Sequence, residues 1–180
     1  MKNSRLTMLV TGGCRSGKSL HGERVAESYG PRCVYVATAQ VWDTEMADRV
    51  EGHRARRGKG WTTVEEPRDV VGVLREHGQS CDAILVDCVT LWLTNLMLAD
   101  LPDADIMERV HDLTREIRQC RASVILVSNE VGWGIVPENK MARRFRDLAG
   151  GANAVLAEAV DNVVLCVAGI PMAAKGAVGL

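Results

Sequence analysis

Aromatic residues are scarce: one Phe, two Tyr and four Trp, 4% of a 180-residue chain. Surfaces that bind single-stranded nucleic acid stack bases on aromatic rings, so this shortage disfavours that class. A surplus of positive charge is also missing. Lys and Arg number 22 against 23 Asp and Glu, a formal net charge of −1, which leaves no global field to hold a phosphate backbone. No run approaches the ~20 apolar residues of a membrane span. Met8-Leu9-Val10 is too short for a secretion signal and runs into glycines, so a cytoplasmic location is expected. None of the six cysteines forms a Cys-x-x-Cys pair, and the four histidines are scattered. Neither a disulfide framework nor a zinc site is indicated. Cys33 and Cys166 sit in apolar runs and read as buried free thiols in a reducing compartment. No repeat, low-complexity tract or linker divides the chain. Residues 1–180 are therefore expected to form a single domain.

What is present is a core former, with 47% apolar and 25% charged residues. Short apolar runs alternate with segments of helical periodicity. Strands are expected at Leu6–Thr11, Cys33–Ala37, Trp61–Glu65, Ala83–Asp87, Val124–Ser128 and, as the last, Asn162–Val167. Helices are expected from Gly17 to Tyr29, Asp43 to Arg57, Pro67 to His77, Leu91 to Leu98, Ile106 to Cys120 and Glu138 to Val160. Strands alternating with helices predict an α/β fold with a mostly parallel sheet flanked by helices. The small, glycine-rich segment from Pro171 to Leu180 is expected to fray.

Gly12-Gly13-Cys14-Arg15-Ser16-Gly17-Lys18-Ser19 has the spacing of a phosphate loop, Gly-x4-Gly-Lys-Ser, with a strand before it and a helix after. Glycines let backbone N–H groups converge on phosphate oxygens, and the helix N-terminus adds positive partial charge. Lys18 has the reach to meet β- and γ-phosphates, and the Ser19 hydroxyl suits Mg²⁺. A chance glycine-rich turn would not also carry the matching strand and helix. The segment predicts a nucleoside triphosphate site and a fold like that of the P-loop NTPases. Asp87 ends a buried strand, where a second Mg²⁺ partner is expected. His53 stands among Arg49, Arg54, Arg56, Arg57 and Lys59. From spacing alone this is a solvated basic helix face. A histidine beside an anion-binding cluster is also a candidate nucleophile or base.

Longer stretches carry a family likeness. They are Tyr35-Val36-Ala37-Thr38-Ala39-Gln40, Glu45-Met46-Ala47 with Arg49-Val50 and His53-Arg54, Leu93-Thr94-Asn95-Leu96, Ser128-Asn129-Glu130-Val131-Gly132 through Gly134-Ile135-Val136-Pro137-Glu138-Asn139, and Arg143 with Phe145 to Gly150 and Asn153. With the phosphate loop, they make the chain resemble the bifunctional adenosylcobinamide kinase/adenosylcobinamide-phosphate guanylyltransferases over nearly its whole length. The resemblance implies phosphorylation of adenosylcobinamide by ATP or GTP, then GMP transfer from GTP to adenosylcobinamide phosphate, which yields adenosylcobinamide-GDP. It implies a covalent GMP intermediate on His53 and nucleotide contacts at Thr38, Ala39, Gln40, Arg54, Ala55, Arg56, Arg57, Glu65 and Asp87. It further implies a homotrimer. Cys14 stands where the family pattern has alanine, Asp87 where some relatives have glutamate, and Ala154 where relatives often have glutamine. A single-step kinase without GMP transfer and a low-turnover nucleotide switch are the alternative readings. The 129–139 segment favours the bifunctional family over both.

Overall fold

The computed structural model describes residues 5–40 and 58–179. The helix expected over Asp43 to Arg57 lies outside them. The described strands are β1 (Thr7–Gly12), β2 (Cys33–Ala37), β3 (Trp61–Glu65), β4 (Ala83–Asp87), β5 (Ser123–Val127), β6 (Asn162–Val167) and β7 (Ile170–Lys175). The described helices are α1 (Lys18–Tyr29), α2 (Val70–His77), α3 (Val89–Leu98), α4 (Asp103–Gln119) and α5 (Lys140–Ala159). The seven strands form one sheet in the order β3-β2-β4-β5-β1-β6-β7. β1 to β6 pair in parallel and β7 runs antiparallel to β6.

Strand pleating explains the two cores. Successive side chains point to opposite faces. Leu9, Ile84, Val86, Val124 and Leu126 join one cluster with Val71, Leu74, Trp92, Ile106, Leu113, Ala152 and Leu156 from α2 to α5. Met8, Val10, Leu85, Ile125 and Val127 join the other, with Val25 and Ala26 of α1. Apolar on both faces, these strands read in sequence as unbroken hydrophobic runs.

Several helix starts differ from the expected ones, and at α2 side-chain bonds give the reason. Pro67 does not open α2. Its carbonyl accepts from Asn95 Nδ2 at 2.9 Å, and the Arg68 carbonyl accepts from Trp92 Nε1 at 2.8 Å. Both carbonyls are thereby held by α3, and the helix begins one turn later, with Asp69 Oδ1 accepting from the Gly72 N–H. α3 starts at Val89. α4 starts at Asp103, whose carboxylate and that of Asp105 suit the positive end of the helix. α5 starts at Lys140, capped by Asn139.

Among the described residues the fraying expected beyond Pro171 is not found, and β6 is not the last strand. β7 pairs with β6 from Val167–Ile170 outward. Lys175 Nζ donates to the carbonyls of Ala157 (2.9 Å), Glu158 (3.1 Å) and Val160 (2.5 Å) at the end of α5, a cation where the helix dipole is negative. The Ala177 N–H donates to Asn162 Oδ1 at 2.6 Å. The Val178 carbonyl lies 2.9 Å from Nε2 of the buried His21. These anchors hold a segment whose composition alone gives no reason for order. No described helix is long and apolar enough to cross a membrane.

Candidate functional site

The parallel strands end on one edge of the sheet, and the described ones among the predicted site residues lie along it. This is the edge at which α/β sheets bind ligands. Gly12 to Ser19 link β1 to α1. Gly12 has φ +147°, and a Cβ there would lie 2.4 Å from the Cys166 carbonyl oxygen. Gly17, at φ +93°, precedes the first turn of α1 and lies against Gly169 in the β6–β7 turn. Both positions require glycine. The Gly169 N–H donates to the Ser16 carbonyl at 3.0 Å, so the β6–β7 turn holds the loop in place. Gly13, Cys14 and Arg15 are exposed and Ser19 is half-buried.

Lys18 is buried, and its Nζ donates to the Gly13 carbonyl at 2.6 Å. The ammonium thus lies folded across the loop. Ser16 Oγ is buried without a hydrogen-bond partner. An orphaned buried hydroxyl in a phosphate-loop segment is what a bound oxyanion would satisfy.

Asp87 ends β4 half-buried, and its Oδ2 accepts from the Tyr35 hydroxyl at 3.1 Å. Its Oδ1 takes no part in that bond. Strand order places Asp87 two strands from the loop-bearing β1. With the Ser19 hydroxyl it offers hard oxygen donors, which suit Mg²⁺ held partly by phosphate and water. Among the described residues no group of three or more His, Cys, Asp or Glu forms a metal cage.

Thr38 is fully buried, and its hydroxyl is spent within the protein. It accepts from the Cys88 N–H at 2.7 Å and donates to the Cys88 carbonyl at 2.8 Å. Its own carbonyl accepts from Asn95 Nδ2 at 2.8 Å. The Thr38 side chain therefore secures the residue after Asp87, its one O–H donor committed to the Cys88 carbonyl. Ala39 and Gln40 follow it, half-buried, on the ligand edge. Glu65 is exposed at the end of β3, in register with Ala37. His53, Arg54, Ala55, Arg56 and Arg57 lie outside the described residues.

Cys88 is buried against this network, its Sγ 3.1 Å from Thr90 Oγ1. Burial pushes its thiol up to about 11, with Asp87 adding repulsion, so it stays a neutral packing group. Cys33 and Cys120 are likewise buried, pushed up to about 12 and about 11 by desolvation. All six cysteines are free, and Cys14 in the phosphate loop is the exposed one.

Sequence reasoning missed a carboxylate tied to the loop. Glu130, just past β5, joins its N–H to the Gly12 carbonyl at 3.1 Å. Its Oε1 accepts from Thr11 Oγ1 (2.5 Å) and Asn153 Nδ2 (3.2 Å). The 128–130 motif flagged the segment, but only the strand order reveals that β5 lies beside β1.

A family model described as cobinamide kinase / cobinamide phosphate guanyltransferase matches residues 8–174. The chain is 45% identical over 168 residues to the bifunctional adenosylcobalamin biosynthesis protein CobP of Pseudomonas aeruginosa, covering 93% of this chain and 96% of that one. It is 42% identical to the bifunctional adenosylcobalamin biosynthesis protein CobU of Salmonella typhimurium, covering 94% of this chain and all of that one. The crystal structure of the RadB recombinase is similar in fold, with a TM-score of 0.50 at 13% identity, covering 89% of this chain and 73% of that one.

Proposed function

Because the chain belongs to the cobinamide kinase / cobinamide phosphate guanyltransferase family, we propose that it runs both reactions at the phosphate-loop edge, with His53 as the GMP carrier. The enzyme is a bifunctional kinase and guanylyltransferase of adenosylcobalamin biosynthesis. The observation that carries the siting is the cradle's geometry: Lys18 Nζ on the Gly13 carbonyl, Ser16 Oγ buried without a partner, and Asp87 held by Tyr35 on the same edge.

In the kinase step the acceptor is the aminopropanol hydroxyl of adenosylcobinamide, and ATP or GTP is the donor. Lys18 exchanges the Gly13 carbonyl for β- and γ-phosphate oxygens, and the loop N–H groups hold the rest. In the transfer step a neutral imidazole nitrogen of His53 attacks the α-phosphorus of GTP, and the bond to the pyrophosphate oxygen breaks. A phosphate oxygen of adenosylcobinamide phosphate then displaces His53 and takes the GMP. Arg54, Arg56 and Arg57 supply charge for the equatorial oxygens, and Ala39, Gln40 and Glu65 border the nucleotide. Ser19 and Asp87 would hold Mg²⁺, which supplies charge neutralisation on the departing phosphates.

Residues 1–180 act as one catalytic domain in this reading. Trp133 and Ile135, 73% and 97% exposed, and Ile170 on the edge strand, 64% exposed, are apolar surface that a homotrimer would cover.

The test is intact mass under denaturing, non-acidic conditions after incubation with GTP and Mg²⁺. Wild type gains one GMP, and His53→Ala gains none. An adduct on the variant moves the nucleophile elsewhere. No adduct on either, despite GTP binding, leaves a single-step kinase.

A further inference from the structure

The kinase step needs a group to take the proton of the acceptor hydroxyl. Among the described residues, carboxylates at the ligand ends of the strands include Glu65 and Glu66 beside β3, Asp87 on β4 and Glu130 past β5. Strand order separates them. Glu65 lies four strands from β1, roughly 19 Å at ~4.8 Å per strand. Glu66 follows β3 as well and stands at the same remove from β1, its Oε1 held by the N–H groups of Arg68 and Asp69, both at 2.8 Å. Asp87 gives Oδ2 to Tyr35 and is the metal-side carboxylate. Glu130 follows the strand next to β1, tied by its own N–H to the first glycine of the loop.

Its carboxylate is aimed. Thr11 and Asn153 both donate to Oε1. Asn153 is itself fixed, accepting from Ser128 Oγ at 2.6 Å and donating to the Asn129 carbonyl at 3.2 Å. Neither bond uses Oε2. A purely structural tie would be served as well by glutamine, whose amide oxygen accepts the same two bonds. What glutamine could not supply is a second, proton-accepting oxygen, and Oε2 is the one this tie leaves spare.

We propose that Glu130 is a catalytic residue of the phosphoryl-transfer step, the general base for the acceptor hydroxyl. The hydroxyl oxygen bonds to the γ-phosphorus while the bond from that phosphorus to the β–γ bridging oxygen breaks. The electron pair leaves with the nucleoside diphosphate, and the hydroxyl proton passes to Glu130 Oε2 and later to water. GMP transfer has a phosphate as acceptor, with no such proton to remove, so it does not call on this base. Asn153 is a positioning residue acting through Glu130.

The inference rests on the two-reaction reading above. Its test compares wild type, Glu130→Gln and Asn153→Ala in two assays, phosphorylation of adenosylcobinamide and GMP transfer to preformed adenosylcobinamide phosphate, with ATP affinity and melting midpoint measured alongside. Glu130→Gln should lose at least ~100-fold in kcat for phosphorylation, as expected for a missing base. Its ATP affinity and its GMP transfer should stay within about threefold of wild type, by the same argument. Asn153→Ala should lose kcat for phosphorylation with KM unmoved. Phosphorylation retained within threefold in Glu130→Gln overturns the inference. So does an equal fall in both reactions, or an Asn153→Ala variant that folds and loses both alike. Failure of wild type to phosphorylate would instead overturn the two-reaction reading.

Discussion

Thr38→Val isolates what the buried hydroxyl beside the site contributes. The substitution keeps shape and burial but removes one acceptor and one donor. The Cys88 N–H, bonded to Thr38 Oγ1 at 2.7 Å, then loses its acceptor next to a fully buried side chain, while the Cys88 carbonyl loses the hydroxyl but keeps the Trp92 N–H at 3.1 Å. The unpaired N–H costs about 1–3 kcal/mol, and the carbonyl's lost bond about 1 kcal/mol more. The added methyl offsets about 1 kcal/mol by apolar transfer. A net loss of about 2 kcal/mol lowers the melting midpoint by roughly 4–8 °C for a chain of this size. Calorimetry on wild type, Thr38→Val and Thr38→Ser measures it. Serine keeps the hydroxyl and should recover most of the loss. Because Cys88 follows Asp87, turnover of Thr38→Val should also fall at fixed Mg²⁺. A valine variant within 1 °C of wild type would refute the pairing argument, since water or a backbone shift would then be satisfying Cys88.

Lys18→Ala removes the ammonium now held on the Gly13 carbonyl. A charge-assisted bond to phosphate is worth about 1.5–3 kcal/mol, so Kd for a non-hydrolysable triphosphate analogue should rise roughly 10–150-fold by titration calorimetry. An unchanged Kd would place the triphosphate elsewhere. The His21 imidazole has its pKa lowered, first by burial, with Arg24 adding repulsion and the Val178 carbonyl partly opposing. The unfolded chain then binds the extra proton first, so stability is intact above the ordinary histidine value of ~6.5 and declines as pH falls through it. Urea midpoints at pH 7.5 and 5.5 should differ less in His21→Gln than in wild type. An equal drop in both would leave the pH dependence to other groups.

The fold was legible because its strands are buried on both faces, and unbroken apolar runs such as Ala83-Ile84-Leu85-Val86 mark themselves in sequence. β7 gave no such signal. Ile170–Lys175 is mostly exposed, so no hydrophobic pattern is required of it. Its order comes from pairing with β6 and from Lys175 on the end of α5, contacts between segments that composition cannot report. The α2 boundary failed for a related reason. Pro67 is a fair local start, but Asn95 and Trp92 claim the carbonyls around it from another helix.

The site divides along the same line. Gly12, Gly17 and Lys18 were readable because a phosphate loop is local: strand, turn and helix are contiguous, and each glycine answers a constraint set within a few residues or by the adjoining strand. Thr38, Glu130 and Asn153 act across the sheet. Thr38 was expected on the nucleotide, yet its hydroxyl reaches back to Cys88, 50 positions along the chain. Glu130 meets Thr11 across 119 positions because β5 inserts between β4 and β1. A parallel sheet with this strand order sets the ends of β1, β4 and β5 side by side, and with them Lys18, Asp87 and Glu130. The chemistry of the edge therefore follows from the crossover order, which motifs alone do not encode. A motif reader sees the cradle, while the carboxylate beside it becomes visible only once β5 is known to neighbour β1.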